Sequence, residues 1–461
     1  MDAETCNQLA WRYLQAGETR LALEHALRAH ELNKSNLDFL NTLGVAYGEA
    51  GELALAEATF RKALKRKPGF VNALVNLAKS LEKQERLAEA RPHYERALAI
   101  EPAFPKLAAN LAKVYLESGE AGRAKSLLER SARNIDPQDL AMGLAQCELD
   151  LGNEEAALAL LGAESDHPDW TLVRTSLAHL LLATGRWREG WSRYARPGAA
   201  VLPERLDGRR FLLRGEQGIG DVLFFLRFAP LLRARGAEIA LACEKKLWPI
   251  LDLPRADAGD EIMLGDLAAR LETEEVPAAL PLSVGEQARQ AARAKLAALG
   301  PPPYLAVTWR AGTDTARGRE FGAERAALSK HVPPKEFGAA LRGWRGTAIL
   351  LQRGARPGEA AEFSAGFGAA SHDLSALGDD LPALLAVLSL VDEYVAVSNT
   401  NIHLLAGLGR SARVVVPYPP EWRWMRRDGR SAWFPDFPAY RQTVSRDWGA
   451  PLAALRKDLG L

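Results

Sequence analysis

Two short stretches carry residue types that chemistry can use. The first is RGEQGIGDVLFFLRFAPLL, residues 214–232. Gly215, Gly218 and Gly220 allow close backbone approach, Gln217 lies among them, and Asp221 stands at the start of a helical pattern. On spacing alone, N-capping is the more ordinary use of an aspartate at that place. The second is VAVSNTNIHLLAGLG, residues 395–409. Here a strand pattern ends in Ser398, Asn399, Thr400 and Asn401, and a small-residue helix carries His403 in its first turn. Unpaired amides at a helix start, joined by hydroxyl and amide side chains, suit an anion. His403 adds a hydrogen bond or a charge. A capped helix with His403 packed in the interior fits the same spacing.

Familiar chemistries are missing. There is no GxxxxGK[ST] phosphate loop, no GxSxG elbow, and no HExxH or CxxC metal pattern. No Asp-x-Asp pair occurs, which argues against a transferase that holds a metal–diphosphate through such a pair. Diphosphate binding by backbone amides and a helix N-terminus is the remaining route, so no metal is expected.

The elements that must position these residues alternate between strand and helix. RRFLLRG reads as a buried strand, VLFFLRFAPLLRARG as an apolar helix and EIALAC as a second strand. A second series starts at PYLAVTW, residues 303–309, and continues through TAILLQR, EYVAVS and ARVVVP. Helical stretches near 334–344, 380–390 and 400–408 separate them. Two Rossmann-like halves, 208–300 and 301–461, facing one cleft is the economical architecture. Ligands in such folds sit at the carboxyl ends of the strands.

Before residue 197 the pattern is different. Leu9, Leu43, Leu77 and Leu111 are 34 residues apart, as are Ala22, Ala56, Ala90 and Ala124. Ala29, Ala63 and Ala97 keep the same step, as do Gly17, Gly51 and Gly119, with Glu85 in the missing glycine slot. The step then shortens to 33 between Gly152 and Gly185. Each unit reads as helix, glycine turn, second helix, with alanines where helices approach closely. This resembles the tetratricopeptide repeat, and implies about six helical hairpins over residues 1–196. Residues 197–207 read as a linker. The resemblance implies a groove for a protein partner, with Asn41, Asn76 and Asn110 as candidate groove contacts. Solvated polar positions fit those asparagines equally well. His25, His30 and His93 show no ligand spacing and read as surface residues.

The chain has 461 residues, 59 Lys plus Arg against 58 Asp plus Glu, and a formal net charge of +1. That balance gives no nucleic-acid footprint. The three cysteines support neither a disulfide framework nor a metal site. No signal peptide and no membrane-spanning run is recognised, so a cytoplasmic protein without membrane insertion is expected, and an oligomer is compatible with it.

Taken in order, GRWREGWSRY (185–194), GEQGIGDVLFFLRFAPLL (215–232), AVTWRAG (306–312), LLQRG (350–354), SNTNIHLLAGLG (398–409), PPEWRW (419–424) and SAWFPDFPAYRQ (431–442) resemble the tetratricopeptide-repeat glycosyltransferases of the GT-B fold. These are similar to protein O-GlcNAc transferase, with a catalytic half like that of the heptosyltransferases. The resemblance implies a nucleotide-sugar donor on the C-terminal half and Asp221 as general base. It implies His403, Asn399, Thr400 and Asn401 as the diphosphate site, with Gln217, Gly218 and Gly220 forming the cleft loop. Arg310 would pair with phosphate, Lys330 would touch it, and Gln352 would contact base or ribose. Trp309, Trp424 and Trp433 fit packing better than ligand. Relatives often carry Gln where this chain has Phe224, which alters the cleft wall, and many carry Asp-Thr where it has Ser398-Asn399. The acceptor implied is a Ser or Thr hydroxyl of a protein such as a flagellin, recruited by the repeats. The alternatives are a glycan acceptor, or a non-catalytic repeat adaptor with a relic transferase half. The N-terminal half is short for a Rossmann half and is expected to lean on the repeats.

Overall fold

The computed structural model describes residues 1–461 apart from 85, 165–170, 216–217, 255–258, 312–329, 419, 426–429 and 444. Gln217 therefore lies outside the described residues. The chain forms two compact units, Met1–Val173 and Arg174–Leu461.

The first unit is a run of paired helices. Ala3–Gln15 pairs with Thr19–Leu32, Leu37–Glu49 with Leu53–Arg66, and Val71–Lys83 with Leu87–Ile100. Leu107–Glu117 with Ala121–Ser131 and Pro137–Leu151 with Glu154–Glu164 follow. The 34-residue columns are the packing surface: Ala22, Ala56, Ala90 and Ala124 are wholly buried, as are Ala29, Ala63 and Ala97. A larger side chain there would hold the paired helices apart. The turn glycines Gly17, Gly51, Gly119 and Gly152 have φ of 75°, 83°, 78° and 88°, a region that L side chains rarely adopt. His25, His30 and His93 are half-buried rather than surface residues. Burial holds His30 and His93 below the ordinary histidine range, with neighbouring cations adding to it.

A sixth helical pair, Thr171–Ala183 with Trp187–Tyr194, was expected to close the repeats at residue 196, but the unit boundary falls just inside its first helix. The reason is Trp191. It is 1% exposed, and its ring meets Phe225, Phe228, Trp422 and Trp433 edge-on at 5.4–6.1 Å. Helix Trp187–Tyr194 is thus packed against the segment that follows β1 and against Trp422 and Trp433. The segment 197–207 is packed as well. Leu202 and Leu206 are buried, and the Arg235 guanidinium donates to the carbonyls of Leu202, Pro203 and Leu271.

Two parallel sheets complete the second unit. The smaller holds β1 (Arg210–Arg214), β2 (Glu238–Ala242) and β3 (Asp260–Met263) in the order β2-β1-β3. The larger holds β4 (Tyr304–Thr308), β5 (Thr347–Leu350), β6 (Ser371–Asp373), β7 (Glu393–Val397), β8 (Arg413–Val416) and β9 (Ala439–Arg441). Its order is β6-β5-β4-β7-β8-β9, with every described pairing parallel. The chain leaves β4 toward one edge and β7 toward the other, so the gap beyond these two neighbours is a topological switch point. The strands read from the apolar runs are all present; β3, β6 and β9 were not anticipated. The expected long helix after β1 is broken into Ile219–Phe225, a 3-10 turn at Leu226–Phe228, and Ala229–Ala234. Pro230, which has no amide hydrogen to donate, sits in the first turn of the last piece. Helix Glu286–Leu299 precedes β4.

Candidate functional site

A cleft of about 840 Å³ opens at the carboxyl ends of β4 and β7. Its lining brings together Gly218, Gly220, Asp221, Arg310, Lys330, Gln352, Asn399, Thr400, Asn401 and His403, every described candidate outside the repeats. That volume is in the range of small-molecule sites.

The two stretches singled out in the sequence touch each other. Helix Ile219–Phe225 begins beside helix Thr400–Gly407, and Gly220 is the point of approach. A Cβ at Gly220 would lie 3.2 Å from His403 Cδ2, 3.5 Å from Nε2 and 3.6 Å from Thr400 Oγ1. A side chain at this position would press on His403.

Asp221 does not cap its helix. Gly218 holds the N-cap position, and the Asp221 carboxylate accepts from Arg423 Nη2 at 2.7 Å instead. Arg423 has 10% of its side chain exposed. Its guanidinium lies over Phe224 at 4.4 Å and Trp422 at 4.5 Å. Its Nε is buried with no hydrogen-bond partner among the described residues. Phe224 also carries a second guanidinium: Arg227, 1% exposed, lies 4.4 Å from its ring and donates to the carbonyls of Phe224 and Trp433. Burial, then Arg423, lowers the Arg227 pKa to about 9. Phe224 thus supplies the ring against which two arginines rest.

The second helix start is held from below. Asn399 is its N-cap, its Oδ1 accepting from the Asn401 amide at 2.9 Å. Tyr394, in β7 and wholly buried, accepts from Asn399 Nδ2 at 3.1 Å and Asn401 Nδ2 at 2.9 Å. It donates to Thr308 Oγ1 at 2.8 Å, which ties the end of β4 to the same helix. Burial pushes the Tyr394 hydroxyl up to about 12, so it remains a donor at neutral pH. Both alternatives for His403 hold together: the helix is capped, and the histidine still lines the cleft. Its ring packs edge-on to Phe224 and Phe434 at 6.0 and 5.3 Å. Burial first, then Arg423 and Arg227, hold its pKa well below the ordinary range, so it is neutral. Its Nδ1 has no partner among the described residues.

Three candidates line the cleft but are engaged within the chain. Lys330 forms an ion pair with Glu421. Glu421 also accepts from Ser398 Oγ at 2.5 Å. Burial favours protonation of Glu421, yet Lys330 and Arg423 outweigh it and bring its pKa to about 2. Arg310 Nη2 pairs with Glu359 at 3.2 Å and donates to the Gly354 carbonyl at 2.8 Å. Gln352, expected to meet base or ribose, spends its amide on the backbone. Its Oε1 accepts from the amides of Trp309 and Arg310, and its Nε2 donates to the carbonyls of Arg310 and Arg353. It fixes the turn after β4 and has no bond left to offer. Trp309 stacks on Phe363, Trp424 stacks on Phe434, and Trp433 packs against Phe224; all three are buried.

A second cavity of about 400 Å³ lies against His179, Tyr194, Phe225 and Leu264, and Asp221 lines it too. Asp221 thus stands between two spaces. Arg423, Glu421 and Tyr394 were not singled out in the sequence as site residues. In the repeats, Asn76 Nδ2 donates to Asn41 Oδ1 at 3.0 Å, so these two asparagines form a ladder across successive first helices, while Asn110 is half-buried on the next. Among the described residues, no helix is long and apolar enough to cross a membrane, and no group of three or more His, Cys, Asp or Glu is placed to hold a metal.

The tetratricopeptide-repeat family matches residues 7–69, 41–108 and 81–138. The chain carries these repeats and is similar to protein FlbA of Caulobacter vibrioides, 26% identical over 363 residues. That match covers 66% of this chain and 58% of the relative, so the chain spans little more than half the relative's length. Solved structures similar to it include a tetratricopeptide repeat protein from Parabacteroides merdae (17% identity, 43% of this chain, 81% of that one, TM-score 0.37). PilF of Pseudomonas aeruginosa is another (23%, 41% and 88%, TM-score 0.37). A third is YrrB, a TPR protein with an unusual peptide-binding site (23%, 37% and 90%, TM-score 0.32).

Proposed function

We propose that the second unit is a glycosyltransferase of the GT-B type. It would move a sugar from a nucleotide-sugar to a Ser or Thr hydroxyl of a protein recruited by the repeats. The observation that carries this reading is the meeting of Gly220–Asp221 with Thr400–His403 in one cleft at a topological switch point. A carboxylate and an anion-favouring helix start within one cleft are the two parts that such a transfer needs. The Asp221 carboxylate takes the proton from the acceptor hydroxyl as its oxygen bonds to the anomeric carbon. The bond from that carbon to the diphosphate oxygen breaks, and its electron pair leaves with the nucleotide. The amides at the start of helix Thr400–Gly407, with nearby Arg423, offset the charge that develops there. With no Asp-x-Asp pair in the chain, the reading takes the diphosphate to be held without a metal. By the family resemblance, the acceptor is a protein such as a flagellin.

The test is Asp221→Asn. Incubated with a panel of nucleotide-sugars and a Ser/Thr-bearing protein acceptor, the wild type should add sugar mass and the variant should lose turnover by about 10²-fold or more. Unchanged turnover would remove Asp221 as the base. A second reading, a repeat adaptor with a silent α/β unit, draws on a specific observation. Asp221, Arg310 and Lys330 are each paired to another side chain of the same unit. A silent unit binds no nucleotide, which separates the two readings.

A further inference from the structure

We infer that Arg423 exchanges partners, passing from Asp221 to the phosphate of an incoming nucleotide and so releasing the carboxylate only when the donor is seated. This rests on the proposed function and adds to it a positioning residue and an order of events.

Arg423 makes one directional contact among the described residues, Nη2 to Asp221 Oδ1 at 2.7 Å. Its Nε is buried and has no partner among the described residues, so donor capacity remains in a side chain that lines the cleft. A buried donor left without an acceptor is costly, and that cost is relieved when an acceptor arrives. The remaining contacts are the faces of Phe224 and Trp422. Aromatic faces attract a guanidinium without fixing the direction of its N–H bonds. The group can therefore turn in its own plane and keep both faces.

The surrounding charges leave Arg423 as the group to be shared. Of the other cations lining the cleft, Lys330 pairs with Glu421, Lys246 with Glu244 and Arg353 with Asp379, while Arg310, whose Nε also lacks a partner among the described residues, is held by two acceptors, Glu359 and the Gly354 carbonyl. His403 is neutral. Arg227 is turned away, donating to two carbonyls. A diphosphate entering beside Thr400 and His403 brings a second anion to an arginine that already holds one. A guanidinium matches a phosphate in a forked, two-bond geometry, which a single bond to Oδ1 does not offer. The carboxylate that loses Arg423 also faces the second cavity, where His179 and Tyr194 stand. An acceptor hydroxyl arriving from that side would meet a base already freed by the donor.

The experiment measures binding of inorganic pyrophosphate, and of UDP, GDP, ADP, TDP and CDP, to the full chain by calorimetry. It compares wild type, Asp221→Asn, Arg423→Gln and the double variant. In Asp221→Asn, Arg423 keeps at most a neutral amide acceptor in place of the carboxylate, and affinity for pyrophosphate and for the best nucleotide should rise about tenfold, the worth of one charge-assisted hydrogen bond. In Arg423→Gln affinity should fall by a similar factor, and in the double variant the gain should vanish. If Arg423→Gln does not fold, Arg423→Lys, which keeps the charge but not the fork, takes its place and should show a reduced gain. A gain that persists undiminished without Arg423 is plain relief of repulsion and overturns the inference. An Asp221→Asn variant that binds no more tightly than wild type also overturns it. Should wild type bind none of these ligands, the proposed function itself fails, and the exchange with it.

Discussion

Glu421 is a largely buried carboxylate that feels two cations of the cleft, Lys330 and Arg423, so replacing it tests the electrostatics directly. In Glu421→Gln the side chain keeps its shape and loses its charge. Its carboxyl lies at about 2 against an ordinary 4.5. That gap corresponds to about 3 kcal/mol of stabilisation of the charged form in the folded chain. The side chain is 13% exposed, so solvent screening removes little of this. Removing the charge also strands Lys330 and leaves Arg423 with one anion fewer. The expected cost at pH 7 is therefore about 3 kcal/mol, at the low end for a broken buried pair. The sign with pH follows from the direction of the shift. A lowered carboxyl stabilises the fold fully above about 4.5, and the contribution fades as pH falls from there toward 2. The difference between wild type and Glu421→Gln should thus be full at pH 7, begin to shrink below pH 5 and be markedly smaller by pH 3.5. Urea unfolding followed by tryptophan fluorescence reads the right unit, since all tryptophans except Trp11 and Trp170 lie beyond residue 173. A variant within about 0.5 kcal/mol of wild type at pH 7, the range of an ordinary surface change, would refute the reasoning. So would a difference that does not change with pH.

Two further variants address the helix start and the approach of the two stretches. Tyr394→Phe removes the hydroxyl shared by Thr308, Asn399 and Asn401, and should cost about 1–3 kcal/mol in the same urea titration; a loss below about 0.5 kcal/mol would mean the network is not holding the helix. Gly220→Val places methyl groups against His403 and Thr400, and should weaken nucleotide binding at least tenfold while costing about 1–3 kcal/mol of stability. A variant that binds nucleotide as wild type does would show that this contact does not shape the site.

Much of the fold was legible because it repeats or alternates. A 34-residue column of alanines can only be a packing surface, and Ala22, Ala56, Ala90 and Ala124 are all at 0% exposure. Apolar runs marked β1, β2, β4, β5, β7 and β8. The strands that escaped have little apolar content to show: β6 is Ser371–Asp373, β9 is Ala439–Arg441, and β3 has one buried residue in four. Thr171–Tyr194 has the local pattern of a repeat, yet it falls almost wholly in the second compact unit. What sets it apart is the burial of Trp191 among residues up to 242 positions away, which no local pattern carries. The site divides in the same way. Gly-x-Gly-Asp and Ser-Asn-Thr-Asn stand out by type and spacing, which fit helix capping as well, and their proposed roles come from the family resemblance. Arg423 did not, since its partner Asp221 is 202 residues earlier. Tyr394 reads as one more apolar position in a strand, and only its three polar neighbours give it a role. Gln352 was assigned to a ligand because a polar residue at a strand end invites one; the backbone turn after β4 needed it first.

The central claim is that the cleft of the second unit binds the diphosphate of a nucleotide. The most direct measurement is a thermal-shift panel on the full chain with UDP, GDP, ADP, TDP, CDP and CMP, with and without magnesium, followed through tryptophan fluorescence. The account predicts that one nucleotide raises the transition of the second unit, by about 2.7 kcal/mol of added stability at 100 times its dissociation constant, equally in both conditions. No shift from any of the six, at concentrations up to several millimolar, would contradict it and leave the chain as a repeat adaptor.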